Sequence, residues 1–499
     1  MSLTDMELVL QKNKQISMKV ELLDIKQAVV SQIQGTLTQY NYTNSAESDI
    51  RRICSMTLYM PKVDETIAEI ESIWSNNMVY LYYGIWDGEA GDYRWFKLGT
   101  FLVSQGGYRY DAEAQELSLS LVDKMAALTS ECGNAYGTDV QVWVDSNLKN
   151  AIEATVLRNA LYPGTVNVCD FPGPVPNTLE YSAGSYPYDQ LSEMVALYPY
   201  HEHFYDKDGV YTVRKVPIAT NEPVAISSSD MHAIIISDSG TQKRTDIHNV
   251  SEVWGKQITA TCTASDCDGQ TQIGQYTLTV YNGFVLEDGA MIGLTPDIIC
   301  SDAQTIKILS KDSYVIYTEA GDGTLTAITA GAMKDNTHYV VRYMEEKFIF
   351  QGETDIHAIC MEFNEVPSEE TLALYKLEWD CENIQYVINP NSPFAVDRIG
   401  AWKAVYKDGE YANIPTTQLA LERASFENWK TTRLKDSVTL KCLFVPWLEV
   451  NQKIEYTSIV SGVTRQYLVQ TINTSDGQTM DLTVTRFYPY YPWLDQGGA

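Results

Sequence analysis

The 499-residue chain lacks the short motifs by which enzymes usually announce their chemistry. It has no Gly-x-Ser-x-Gly elbow, no His-Glu-x-x-His helix and no phosphate-cradling glycine loop followed by Lys-Ser/Thr. No Cys-x-x-Cys pair occurs among its nine cysteines, at 54, 132, 169, 262, 267, 300, 360, 381 and 442. Only Cys262 and Cys267 are close, around Thr-Ala-Ser-Asp, and a local disulfide there has no other support. Scattered cysteines in a long chain read as small buried thiols made in a reducing cytoplasm. No apolar run approaches the roughly 18–20 residues that span a bilayer. Met1 to Gln15 lacks the apolar core of a signal peptide. The expectation is a chain without a membrane anchor or an ordinary export signal.

Positive charge is scarce as well. Lys and Arg number 36 against 65 Asp and Glu, for a net charge of −29, and no block of like charges carries it. Such a surface repels nucleic acid and anionic membranes, which disfavours groove reading and phosphate gripping. Two readings remain: simple solubility, or a conduit wall that does not hold passing DNA. Phenylalanine is rare too, 12 beside 33 tyrosines. Tyrosine has an apolar ring and a polar tip, which suits half-wet interfaces, in an assembly or a carbohydrate site. With 44% hydrophobic residues the chain can fill about three or four cores, taking roughly 150 residues per domain.

What is present is mostly strand pattern. Ser17 to Leu22, Thr36 to Thr38 and Ile53 to Leu58 alternate with period two, and Met78 to Trp86 is a longer aromatic strand. Asp64 to Trp74 carries Ile67, Ile70 and Trp74 at helical spacing. Phe101-Leu102-Val103-Ser104-Gln105 leads through a loop with Gly106-Gly107 into Leu117-Ser118-Leu119-Ser120-Leu121. Far downstream, Tyr467-Leu468-Val469-Gln470-Thr471 leads through Asp476-Gly477 into Met480-Asp481-Leu482-Thr483-Val484. The two read as one strand–turn–strand unit used twice, which predicts two similar β-domains per chain. Two copies per chain can turn a three-fold assembly into a near six-fold ring.

Between them the texture changes. Asp145 to Leu161 and Tyr188 to Leu197 read as helices, Phe171 to Pro176 as a stiff Pro-rich loop, and Glu202 to Lys215 as a hairpin turning at Asp206 to Gly209. The fold class expected is mainly β with a smaller α+β module: two tube-like β-barrel domains, the second interrupted by a β-rich insertion. The expected division is 1–135 for the first barrel, 136–245 for the module, and 246–255 plus 426–489 for the second barrel. The insertion takes 256–425, with only Ala420 to Lys430 near its end reading as helix, and 490–499 is a docking tail.

Weak chemical signals have bland explanations beside them. His201 and His203 flank Glu202 and would share one strand face, but no third metal ligand is near in sequence. Asp206-Lys207-Asp208-Gly209 and Asp266-Cys267-Asp268-Gly269 echo calcium-loop starts without the closing Glu, so Asp-Gly turns explain both. Scattered carboxylates carry no glycosidase spacing that sequence can test. No cofactor or metal is expected.

Three stretches, in order, carry a family likeness. They are Lys97-Leu98-Gly99-Thr100-Phe101-Leu102-Val103 with Asp123-Lys124-Met125, the hairpin Phe204 to Arg214, and Val445 to Tyr456 running on to Arg486-Phe487-Tyr488-Pro489. This series resembles the hub proteins of phage tail tips and related injection systems, including baseplate hubs and the N-terminal region of prophage tail endopeptidases. The likeness covers both ends and the middle module and leaves most of 256–425 uncovered. It implies a homotrimer with pseudo-six-fold symmetry in the virion tail tip, assembled in the host cytoplasm. It further implies docking on a tail tube or distal tail protein at one face and a spike or fibre at the other. A tape measure protein is a further candidate partner, and DNA passes through the channel without specific binding. Longer members carry a lytic domain after the hub; here the chain ends ten residues past Pro489, so no enzyme is expected. The candidate assembly contacts are Phe101, Leu102, Val103, Tyr467, Leu468 and Val469, with Tyr490, Tyr491 and Trp493 of the aromatic tail. The rival reading is a virion surface protein that recognises host glycan through the 256–425 insertion.

Overall fold

Leu117, Leu119 and Leu121 are buried while the serines between them are half-buried, so the period-two pattern does set one face of a strand against a core. The computed structural model describes residues 3–485 except 25, 61–77, 112, 144, 160–163, 177, 218–221, 243–246, 256–258, 267–272, 280–287, 289–290, 295, 297–304, 309–312, 321–322, 330, 334–338, 353–355, 380, 382, 415–416 and 433–435. The helix expected over Asp64 to Trp74 lies outside the described residues, as do the tail from 490, the turn at Cys267 to Gly269 and any 262–267 disulfide.

The chain is mainly β. Six antiparallel strands open it: β1 (Ile16–Leu23), β2 (Val29–Ser45), β3 (Arg52–Tyr59), β4 (Met78–Asp87), β5 (Asp92–Asp111) and β6 (Glu116–Asp123). They pair in the order β1-β4-β5-β6-β3-β2, and β2 returns to β1, closing a barrel. Six more strands form a second circuit: β7 (Val224–Ile226), β8 (Ile235–Gln242), β9 (Asp436–Leu443), β10 (Lys453–Thr457), β11 (Thr464–Thr474) and β12 (Thr479–Thr485). Their order is β7-β10-β11-β12-β9-β8. From β8 to β12 this repeats β2 to β6 in chain order, neighbours and antiparallel direction. It differs at the ends, because β7 runs parallel to β10 and has no pairing with β8 among the described residues.

The repetition holds at the level of register. Leu102 faces Val122 as Leu468 faces Thr485, and Val103 faces Leu121 as Val469 faces Val484. Strand β2 slips register between Leu37 and Gln39, and β8 slips at the matching place between Ile235 and Ser237. Past the end of β1, strand β2 pairs with β11, from Tyr42 opposite Thr474 to Ser45 opposite Thr471. That ladder joins both circuits into one twelve-stranded sheet over a shared core running from Leu8 to Val484. Phe444 meets Tyr83 edge-on at 5.0 Å within it.

The α+β module has its own core, with Leu148, Ile152 and Val156 from helix Leu148–Asn159 and Leu191 and Met194 from helix Pro187–Ala196. Within the insertion, strands Thr259–Asp266 to Lys347–Gly352 build an eight-stranded sheet. A four-stranded sheet, in the order Ile384–Ile388, His357–Phe363, Val250–Trp254, Lys403–Tyr406, packs under helix Thr417–Thr432.

Four expectations need correction. The segment 246–255 does not return to the second barrel: Val250–Trp254 pairs with His357–Phe363 in the insertion. The barrel takes β7 and β8 instead, from a stretch expected in the module. Ile-Ile-Ser-Asp-Ser-Gly-Thr-Gln hides β8 because this edge strand buries little, whereas Val-Ser-Glu-Val-Trp is buried along most of its length and gives a stronger signal. Residues 426–432 belong to the helix on the insertion's sheet, not to the barrel: Thr432 at the end of that helix donates to Glu362 of strand His357–Phe363. The insertion also holds a second long helix, Glu369–Trp379, whose apolar residues are not buried and so gave no helical stripe. Finally, Gly106-Gly107 is not the turn. Strand β5 runs on to Asp111, and the glycines sit in a bulge between Val103 and Tyr108.

Candidate assembly site

Arg51 and Arg52 stand at the start of β3, where the barrel meets its neighbours. Arg51 reaches Glu202 of the module at 2.7 Å, and Arg214 and Asn451 reach the same carboxylate at 2.8 and 2.9 Å. Arg52 donates to Glu449 of the second barrel at 2.7 Å and to the Tyr205 carbonyl of the module at 2.8 Å. Asn44 adds a bond to Glu449 at 3.1 Å, and the Arg52 amide donates to Asp123 at 3.2 Å. Three units of the chain therefore meet at two adjacent arginines. Planar guanidinium groups suit this, since each offers several donors in fixed directions. Arg51 also lies 4.0 Å over the Phe204 ring. Burial pushes the Asp123 carboxyl up, against the pull of Arg52. Burial lowers the Arg51 guanidinium from its ordinary value even beside Glu202.

The expected hairpin turn forms a second lock. Asp206 Oδ1 accepts from the amides of Asp208 and Val210, both at 2.9 Å, which is an Asx turn. Thr100 donates to the Lys207 carbonyl at 3.0 Å, Lys124 donates to the Gly209 carbonyl at 3.0 Å, and Lys97 pairs with Asp208 at 2.9 Å. Burial pulls the Lys124 ammonium down to about 8. The residues Lys97, Thr100 and Lys124, which carried the family likeness, are the ones that receive this hairpin.

The histidines do other work. His201 Nδ1 sits 3.1 Å from the Tyr198 carbonyl, and the ring packs on Phe171. His203 lies between Ser192 at 3.2 Å and Tyr211 at 3.0 Å. Burial, then the nearby Arg51 charge, lowers His203 to about 4. Both line a cleft of about 880 Å³ between the module, the second barrel and helix Thr417–Thr432. Among the described residues no three His, Cys, Asp or Glu gather in metal-holding geometry. The cysteines at 54, 132, 169, 360, 381 and 442 are free.

The candidate contacts from the sequence fall mostly inside. Phe101, Leu102, Tyr467, Leu468 and Val469 are buried in the chain's own cores, and Val103 is half-buried. Their side chains are committed to the chain's own packing. Tyr490, Tyr491 and Trp493 lie outside the described residues. What the sequence reading missed is the hairpin tip between β10 and β11, where Ile459, Val460 and Val463 are 58%, 88% and 46% exposed. Apolar residues in the turn Ser-Ile-Val-Ser-Gly-Val, where polar ones are usual, were the available signal.

Residues 391–491 match a family described as a domain of unknown function, DUF5048, a span that takes in helix Thr417–Thr432 and β9 to β12. No curated protein sequence matches the chain. Among solved structures it is similar to the 43 kDa tail protein of prophage MuSo2 from Shewanella oneidensis. Identity there is 11%, over 94% of this chain and 98% of that one, with a TM-score of 0.44. A tail protein from Neisseria meningitidis MC58 shares 8% identity over 95% and 96%, with a TM-score of 0.43. Prophage tail protein gp18 from Listeria monocytogenes EGD-e shares 7% over 94% and 94%, with a TM-score of 0.38. These neighbours are phage tail proteins, the class the sequence resembles. At such low scores the functional reading rests on this chain's own geometry.

Proposed function

We propose that the chain is a non-enzymatic structural hub of a phage or phage-like tail. Three copies present six barrels as a ring that adapts a six-fold tube end to a three-fold spike or fibre, with DNA passing through. The observation that carries this is the second use of one strand topology, matched in register and bulge, within a single chain. A six-fold end offers six equivalent sites, and a trimer meets all of them only if each subunit supplies two alike. The arginine joint supports the reading because it fixes the barrels to one another through the module. A net charge of −29 suits a wall that releases DNA.

Mass measurement of the purified full chain, alone and with tube and spike partners, tests the proposal. A species of three chains is expected; a monomer that persists with both partners present would overturn it.

A further inference from the structure

Each barrel has two strand edges of one kind, and among the described residues only one from each is paired within the chain. Within the chain, the outer edge of β2 pairs with the outer edge of β11: Tyr42 with Thr474, Thr43 with Asn473, Asn44 with Ile472. The second barrel's counterpart of β2 is β8, and the shared bulge fixes the alignment, so Tyr42, Thr43 and Asn44 correspond to Gly240, Thr241 and Gln242. The first barrel's counterpart of β11 is β5. Through their partners on β6 and β12, Ile472 and Asn473 correspond to Tyr108 and Arg109, and the next residue, Thr474, falls in step with Tyr110.

Both counterpart edges lack a partner strand among the described residues. Strand β8 pairs only with β9, and β4 leaves β5 at Leu102. Strand β8 also lacks the usual protection of a free edge, since Ile235–Gln242 contains no Lys and no Pro. Gly240 and Arg109 are exposed.

We propose, resting on the ring reading above, that these two edges are the joint between subunits. Gly240, Thr241 and Gln242 of one protomer pair antiparallel with Tyr110, Arg109 and Tyr108 of the next copy of this chain. The contact repeats between chains the ladder that β2 and β11 make within one. Because it joins unlike edges head to tail, it propagates around a ring and leaves no free edge when the ring closes. The backbone makes the bonds, so the differing side chains of the two junctions do not forbid it. One departure is local: β5 places residues 104–107 opposite Ser120 where β11 sets Gln470 and Thr471 opposite Thr483, and pairing resumes at Tyr108.

The test is a cysteine pair in the full chain, Thr241→Cys with Arg109→Cys, oxidised and run without reductant beside the unaltered protein and each single variant. Directly opposed residues lie about 4.5–5.5 Å apart at Cα, within disulfide reach. The expected result is covalent dimers and trimers that reductant collapses to one chain and that the single variants do not form. Gln242→Cys with Arg109→Cys, one position out of register, puts the thiols on opposite faces and should not link. A three-chain mass without the cross-link, or equal linking by the shifted pair, overturns the edge pairing and leaves the ring standing. A one-chain mass throughout overturns both. Hydrogen exchange on the unaltered protein guards against a misfolded variant: amides at 108–110 and 240–242 should be slowed in the assembly, as should those at 42–45 in the ladder to β11, and free exchange at 108–110 and 240–242 overturns the joint.

Discussion

Arg52 of the first barrel donates to Glu449 of the second at 2.7 Å, across 397 positions of sequence. Its side chain is 4% exposed, and the other guanidinium arm holds the module through the Tyr205 carbonyl. One side chain thus fixes the relative placement of three units. The proposed ring of alternating barrels would need that rigidity, because a hinge between paired barrels would spoil closure.

Removing this arginine should therefore cost more than a surface pair would. Arg52→Met leaves Glu449 without its ion-pair partner, and a loss of about 3 kcal/mol is expected, at the low end for a buried pair because Glu449 is 20% exposed. Denaturant midpoints for Arg52→Met, Glu449→Leu and the double variant check it. The double should cost clearly less than the sum; strict additivity would mean the pair does not interact.

Equivalent core positions should respond alike. Leu119 and Leu482 hold the same place on β6 and β12, and each is at most 2% exposed. Truncation to Ala should cost about 2–5 kcal/mol in either barrel. Thermal unfolding of the two variants reads this, and a silent variant at one site would refute the equivalence.

Gly209 is required for two separable reasons. Its φ is +77°, and a Cβ would come within 3.0 Å of Thr100. Gly184 also has positive φ, +96°, but open space around it. Gly209→Ala should lower stability by more than about 1 kcal/mol and by more than Gly184→Ala does. Equal melting temperatures for the two variants would remove the close-approach argument.

Two histidines should give pH dependences of opposite sign. His203 is held down to about 4, so the folded chain resists a proton that the unfolded chain accepts from about 6.5. Stability is lost as pH falls from 6.5 to 4. His357 faces Glu252 at 2.7 Å. Burial opposes its charge, but the contacts to Cys381 and Glu252 prevail and raise it to about 9. Its contribution is full below 6.5 and lost as pH rises through 9. Hydrogen exchange across pH 4–9 should show the module loosening in acid and Val250–Trp254 loosening in base. His203→Asn and His357→Gln should each abolish its own trend while sparing the other.

The alternation at Leu117 to Leu121 and Met480 to Val484, the two module helices and the hairpin at 201–215 could be read along the chain. Each is set by neighbours within a few residues, where burial of one face imposes a period. The repeat was visible for the same reason, in the strands that bury most. Strand β8 was not, because an edge strand carries a weak pattern, and 246–255 was misplaced because hydrophobic alternation marks a strand without saying which sheet receives it.

Composition and local pattern by themselves determined that this chain is β-rich, acidic and built on a repeated strand unit. Only the tertiary structure decided that Arg52 meets Glu449, that Phe101 and Tyr467 face inward, and that one edge of each barrel is paired while its twin has no partner strand among the described residues. The reason is physical: pairing partners and ion pairs are chosen by loop closure across hundreds of residues, and no local pattern encodes which distant edge arrives.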